Sequence, residues 1–366
     1  MAEYTAISWC DHTVNFWWGC EKVSPACANC YAEREDARWH IRTYRQTGNW
    51  EGFSEGVHGK GMHWGPDAPR LLRAERARQE AFRYQRRAVK EGRRFRVFTN
   101  SMSDFFEDRS DLDAARLEAL DVIRQTPNLD WLILTKRPES VLGLLSKADD
   151  DCFVGTGEQV RLDLGDWIHA WLIGAPPANV WLGTTAEDQE RADQRIPALL
   201  QAPAAVRFLS CEPLLGPLSF RWESWAHKAT GETYRQYLER NGRIDQYEAL
   251  RKFDWVIVGG ESGPKARPMH PDWVRLLRDQ CAEAGVPFHF KQWGEWSPEG
   301  PLDTRIQCAI DYRGRTAKGG LRQNFPPAAS SADIWHHLYR VGKARAGRLL
   351  DGIEHNAFPT VEGVTG

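Results

Sequence analysis

Seven short apolar runs punctuate the chain between residues 14 and 294: VNFWWGC, FRVFTNS, WLILTKR, VWLGTTAE, VRFLSCE, WVIVGGES and FHFKQWG. Each ends in small or polar residues. Continuous apolar runs of this length read as strands covered on both faces, the habit of a parallel sheet. Between them, Leu112 to Thr126, Pro138 to Lys147, Glu187 to Gln201 and Pro271 to Gly285 carry helical periodicity. Strand and helix therefore alternate, which predicts an α/β fold, either a doubly wound sheet or a parallel (β/α) barrel. We expect the barrel, in a partial form of the TIM type, over residues 1–295.

Three stretches break the rhythm and are expected to be insertions, at about 39–69, 148–177 and 220–252. A compact domain rarely tolerates structureless loops of that length. After Glu295 the strand pattern fades, and residues 296–366 read as a C-terminal extension that closes over the barrel. A helix is expected there from Ser331 to Val341.

In a parallel barrel the loops after the strands carry the chemistry. The polar ends of the runs place Asn100, Ser101 and Asp104 on that face, then Thr135, Lys136 and Arg137. Thr184, Thr185 and Glu187 follow, then Ser210, Cys211 and Glu212, Glu261 and Ser262, and finally Lys291 and Gln292. Strand ends also need polar caps, so each of these residues has a structural reading beside the functional one. Glu212 and Glu261 are the candidate acid and base, with Cys211 and Lys291 beside them as further candidate catalytic groups. Carboxylates at such a mouth equally pair with Lys291, Arg137 or Arg267.

The sharpest chemical signal is GCEKVSPACANCYAE, which puts Cys20, Cys27 and Cys30 on a loop at 19–31, with gaps of six and two residues. Thiolates are soft ligands, and three of them can grip an iron–sulfur cluster while leaving one iron open. A structural zinc needs a closed set of four, for which Cys10, His12 and His40 are the available fourth ligands. Unliganded thiols are the third reading. The remaining cysteines, Cys152, Cys281 and Cys211 among them, are read first as packing residues.

Eight cysteines at uneven spacing in a 366-residue chain do not form a disulfide framework. No apolar stretch is long enough to span a bilayer, and MAEYTAISWCDH lacks a secretory pattern, so a cytoplasmic protein without a membrane partner is expected. The net charge of −2 gives no global pull toward nucleic acid, so such a partner must meet a local basic patch. One candidate is Arg70 to Arg96, with 11 Arg or Lys against 3 Glu. It reads as a helix that tracks phosphates or as a solvated outer helix.

Taken in order, GCEKVSPACANCYAE, FTNSMSDFF, LTKRPE, WLGTTAEDQ, RFLSCEPLLGPL, VIVGGESGPKARPMHPDWV and FKQWGEW resemble the phage Gp37/Gp68 family, also called DUF5131 or the three-Cys-motif family. That family is similar in organisation to radical S-adenosylmethionine (SAM) enzymes, spore photoproduct lyase included. The resemblance implies a [4Fe-4S] cluster on Cys20, Cys27 and Cys30 and reductive cleavage of SAM, with an electron donor such as ferredoxin or flavodoxin. It also implies a modification or repair reaction on DNA, RNA or a nucleotide, and room for a partner protein. On this reading Asn100 and Ser101 meet the SAM amino group, Lys136 its carboxylate, and Thr185 and Glu187 its ribose, with Asp104 and Thr135 alongside. The first cysteine gap is six residues where the usual radical SAM spacing is three, and FTNSMSD stands where a Gly-Gly-Glu segment is common. Two other functions fit the residues: a zinc-binding nucleic-acid interaction protein, and a cluster enzyme for repair or electron transfer that does not use SAM.

Overall fold

The computed structural model describes residues 5, 7–47, 62–153, 159–221, 233, 236, 239, 245–300, 307–318 and 335–360. Its contacts divide the chain into two compact units: Met1–Gly183 with Ala202–Val206, and Thr184–Gln201 with Arg207–Val361.

The first unit opens with β1 (His12–Val14) and β2 (Trp17–Trp18), followed by α1 (Tyr31–Thr47), β3 (Leu71–Leu72), α2 (Ala74–Glu91) and β4 (Phe95–Thr99). It continues through α3 (Asp113–Arg124), β5 (Leu129–Thr135), α4 (Val141–Phe153) and α5 (Gln159–Leu172) into β6 (Val180–Thr185). β1 pairs parallel with β4, and β4 with β5. Every residue of β5 except Leu134 is buried, as a strand with both faces covered requires.

The second unit holds α6 (Gln189–Gln201), β7 (Val206–Cys211), β8 (Trp255–Gly259), α7 (Pro271–Ala284) and β9 (Phe288–Gln292). β7 pairs parallel with β8, and β8 with β9. The strand order β1-β4-β5-β6-β7-β8-β9 makes one seven-stranded parallel sheet, with β1 and β9 at the ends of the order. The fold is thus the mixed α/β class that the alternating pattern predicts.

Several expectations are corrected. The run VNFWWGC is not one strand: β1 stops at Val14, and Trp17–Trp18 pairs antiparallel with Leu71–Leu72 instead. The break falls where the Phe16 N–H donates to the Asn100 side chain rather than to a ladder. In the 39–69 and 148–177 stretches the described residues include, after the acidic run, the short apolar helix expected there, and the neighbouring helices reach further into both stretches than the rhythm suggests. α1 runs on to Thr47, α4 continues through the acidic run Asp149–Asp151, and α5 follows. Of the 220–252 segment, residues 222–232 and most of 234–244 lie outside the described residues.

The tail after Glu295 is not devoid of strands. β10 (Trp296–Ser297), β11 (Cys308–Asp311), β12 (Thr316–Lys318) and β13 (Trp335–Arg340) form an antiparallel sheet in the order β10-β13-β11-β12. The helix expected over Ser331 to Val341 is, in its described part, the strand β13, which β11 and β10 flank on both sides. Short α8 (Lys343–Ala346), β14 (Leu349–Leu350) and β15 (Ile353–Glu354) complete the chain. The Trp255 indole donates to the Ala357 carbonyl and the Trp293 indole to that of Leu349, so the tail is stitched to β8 and β9.

Candidate metal centre

The three-cysteine loop begins at Gly19, whose φ is +106° and whose missing Cβ would lie 2.3 Å from the His63 carbonyl oxygen. No other residue type fits both the backbone angle and the contact. From there the chain bridges to Ser103 at Gly19 and to Trp64 at Cys20, so the loop is seated on the segment that follows β4. A 3₁₀ turn over Pro25–Cys27 then presents Cys27, and Cys30 directly precedes α1.

That seat is a buried polar network. Arg70 grips both carboxylate oxygens of Glu107, at 2.9 and 2.7 Å, and Glu107 in turn accepts the Glu21 N–H. Arg137 reaches the same loop from the end of β5, donating to the Cys20 sulfur at 3.7 Å and to the Glu21 carbonyl at 3.0 Å. Its partner is Asp104, at 3.2 Å. Asp104 also accepts from the Thr135 hydroxyl at 2.6 Å and the Lys136 N–H at 2.9 Å, which clasps the β4 and β5 loops together.

The thiols differ in acidity. Burial and the neighbouring Asp104 push Cys20 up to about 12, against the opposing pull of Arg137. Burial also raises Cys30, more than the backbone hydrogen bonds at Glu33 and Ala32 and the Lys136 charge lower it. At Cys27 burial raises the thiol, but the Lys136 ammonium, hydrogen bonds from the backbone at Val23 and Ser24, and the Ser24 hydroxyl together outweigh it, and the thiol falls below its ordinary value. Lys136 thus acts on two of the three sulfurs.

The candidate fourth ligands lie elsewhere. Cys10 precedes β1, beside Asp11, whose N–H meets the Arg96 carbonyl at the start of β4, whereas Gly19 bonds to Met102 past its end. At about 3.3 Å per residue the length of β4 alone puts these ends well over 10 Å apart. His12 stacks on Tyr84 at 3.9 Å, and His40 faces Asp36 and His63. Among the described residues, the three-residue groups whose donor atoms all lie within 4.8 Å are Asp36–His40–His63 and His270–Asp272–His336; neither includes a cysteine.

Of the residues expected from sequence, Asn100, Ser101, Asp104, Thr135 and Lys136 share the first unit with the three cysteines. Asn100 is buried with φ +54°, its oxygen takes the Phe16 N–H, and its Nδ2 has no hydrogen-bond partner among the described residues. The Ser101 hydroxyl is engaged with Asn15, and its carbonyl accepts the Tyr31 hydroxyl at 2.6 Å.

The other candidates belong to the second unit. Glu187 is fully buried in an ion pair with Arg195 at 2.7 Å, whereas the buried Thr185 hydroxyl has no hydrogen-bond partner among the described residues. Cys211 is buried, and burial, reinforced by Cys281, holds its thiol far above the usual range. Glu212 pairs with Lys291 at 3.1 Å, and Glu261 takes a two-pronged grip from Arg267 at 2.6 and 2.9 Å. The VGGES and KQWGEW motifs meet here. A Cβ at Gly260 would lie 1.9 Å from the Trp293 carbonyl oxygen, so the two strand ends touch backbone to backbone.

Sequence reasoning missed Arg70, Glu107 and the Asp36–His63 pair. Arg70 was read as one charge in a basic helix, though it precedes α2 and is buried. Much of that basic segment is likewise spent internally, with Arg76 on Glu80, Arg87 on Glu91, Arg94 on Asp130 and Arg96 on Asp11.

Fold and site together define a mixed α/β protein whose thiol-bearing loop is seated on the segments that follow two parallel strands. The chain belongs to the DUF5131 family of proteins of unknown function, whose model matches residues 4–359. No curated protein and no solved structure matches it.

Proposed function

We propose that this chain is an iron–sulfur enzyme of the radical SAM type, with a [4Fe-4S] cluster on Cys20, Cys27 and Cys30. The observation that carries the reading is a set of three thiols on one loop whose fourth-ligand candidates are all engaged elsewhere. A mononuclear tetrahedral ion, at a Zn–S distance of about 2.3 Å, would draw its thiolates to within about 4 Å of one another. A cluster instead takes each thiolate to a separate iron and leaves one iron open. Thiolate ligands also bring negative charge, which Lys136 and Arg137 offset.

When bound, the cluster and SAM supply a one-electron reductive cleavage of a carbon–sulfur bond, the electron coming from a ferredoxin or flavodoxin. The protein's own residues hold and shield. Arg137 orients the Cys20 sulfur, Lys136 favours the thiolates of Cys27 and Cys30, and the Asp104–Thr135 clasp fixes both cations. Asn100 offers an unspent amide donor, which suits a carboxylate or carbonyl of a bound ligand. That changes the pairing expected from sequence, because a donor cannot receive the SAM ammonium. A partial-barrel arrangement of the parallel sheet fits this reading. The substrate class we favour is a nucleotide or nucleic acid.

Anaerobic reconstitution tests the proposal, with iron and acid-labile sulfide measured on wild type and on Cys27→Ala, and electron paramagnetic resonance recorded with and without SAM. We expect four irons and four sulfides per chain, lost in the variant, and a spectrum of the reduced cluster that changes on SAM addition. Stoichiometric zinc in place of iron would refute the cluster. A spectrum indifferent to SAM would leave a SAM-independent cluster protein.

A further inference from the structure

A second group of ligand-type side chains lies outside the three cysteines. Asp36 and His40 sit four residues apart on α1 and so share one face. His63 arrives from a loop that Arg70 pins by donating to the carbonyls of His63, Gly65 and Ala68. The Asp36 carboxylate is completely buried. Its Oδ1 lies 2.9 Å from His63 Nδ1 and 3.4 Å from His40 Nε2, and its Oδ2 accepts the His63 N–H at 3.3 Å. All three donor atoms fall within 4.8 Å of one another.

A carboxylate removed from water needs a cation, and among the described residues no Lys or Arg pairs with Asp36. The neighbours it does have are imidazoles. Burial, helped by the adjacent His63, outweighs the pull of the Asp36 charge and holds His40 below its ordinary value, toward the neutral form that binds metals. Trp39 stands edge-on to His40 at 4.8 Å, and Trp18 edge-on to Trp39 at 5.7 Å, which walls the group with indoles.

We propose that Asp36, His40 and His63 bind a divalent first-row transition ion, such as zinc or ferrous iron, in a site distinct from the cysteine loop. One carboxylate and two imidazoles, with no thiolate, are the donor set such ions take, and three protein ligands leave room for water. The group at His270, Asp272 and His336 is a weaker candidate, because His270 Nδ1 already accepts the Asp272 N–H. The site has a mechanical consequence. His63 is the residue against which Gly19 packs, so an ion there anchors the turn that launches Cys20.

Cobalt(II) titration of the full chain, with Cys20, Cys27 and Cys30 replaced by Ser, isolates this site from the cluster. The wild-type chain with its thiols alkylated is the second arm, should the triple variant fold poorly. The expected result is one equivalent of Co²⁺, a visible spectrum without a thiolate charge-transfer band, and competition by Zn²⁺. His40→Gln and His63→Gln should each weaken binding at least about tenfold, while circular dichroism of each variant reports its fold. Three results would overturn the proposal: unchanged affinity in folded His variants, a thiolate signature, or no Co²⁺ or Zn²⁺ retained by either arm. The cluster is read separately, by iron and sulfide on the wild type, so either proposal can fail alone.

Discussion

Cys27 and Cys20 sit seven positions apart on one loop, yet their surroundings push them in opposite directions. Cys27 is lowered because Lys136 and hydrogen bonds at Val23 and Ser24 overcome burial, whereas Cys20 is pushed up to about 12 by burial and Asp104. Thiolate is the reactive form, so a thiol gains reactivity as pH rises through its own value. In the metal-free, reduced chain, alkylation followed by peptide mass spectrometry should therefore label Cys27 at lower pH than Cys20. Lys136→Gln should move the Cys27 profile to higher pH. Equal rates for the two at every pH would show that the loop does not hold its shape without a cluster. Beneath them, Arg70 and Glu107 form a pair with side chains 1% and 3% exposed. Arg70→Met leaves the carboxylate with only Arg137, at 3.8 Å, and the Glu21 N–H, and should cost about 3 kcal/mol in urea unfolding, the low end for a broken buried pair. Adding Glu107→Leu should recover part of that loss, because the penalty lies in the unpaired charge.

The elements that were legible in the sequence are those whose local pattern admits one reading. WVIVG is apolar throughout and LDWLILT is apolar but for Asp130 and Thr135, and a strand covered on both faces buries all or nearly all of its residues. The strand WHHLYR was misread as a helix because Leu338 alone among its residues is buried, which leaves no alternation to detect. The acidic run Asp149–Asp151 reads as part of an insertion because it breaks the apolar rhythm, yet it completes α4. It is packed against α5 regardless: a Cβ at Gly165 would lie 3.0 Å from that of Cys152. The cysteines were visible as a motif, but His63 was not, since it lies 27 residues from Asp36 and only folding brings them together. α7 carries a prediction of its own. His270 is its N-cap, Nδ1 accepting the Asp272 N–H, and it is held at about 4 by burial and then by the nearby His336, against the pull of Asp272 and Asp311. The folded form binds its proton less well than the unfolded chain, whose value is near 6.5. This contribution to stability is therefore whole above pH 6.5 and is lost as pH falls toward 4, the proton taking the lone pair that caps the helix. His270→Asn, which retains a capping oxygen, should flatten that limb of the stability profile measured by thermal unfolding between pH 7 and 4.

At the scale of the whole molecule, a net charge of −2 means that any grip on nucleic acid must come from local surface, and the densest basic stretch is Arg70 to Arg96. The structure sharply reduces what that stretch can offer. Arg70 is buried on Glu107, Arg73 lies over the Trp18 ring, and Arg76, Arg87, Arg93, Arg94 and Arg96 all have carboxylate partners. Arg78, Arg83, Arg86 and Lys90 remain without one among the described residues, the first two lying over Phe82 and Tyr84. Each phosphate contact contributes about −0.9 to the slope of log affinity against log salt on duplex DNA. Four contacts therefore give a slope no steeper than roughly −3.6. We expect duplex binding, measured by fluorescence anisotropy from low to moderate salt, to stay within that limit. Replacing the four with Gln should remove most of the slope. A much steeper wild-type slope that survives the replacement would place the nucleic-acid surface elsewhere on the molecule, and α2 would then be only a solvated helix whose arginines hold it to its neighbours.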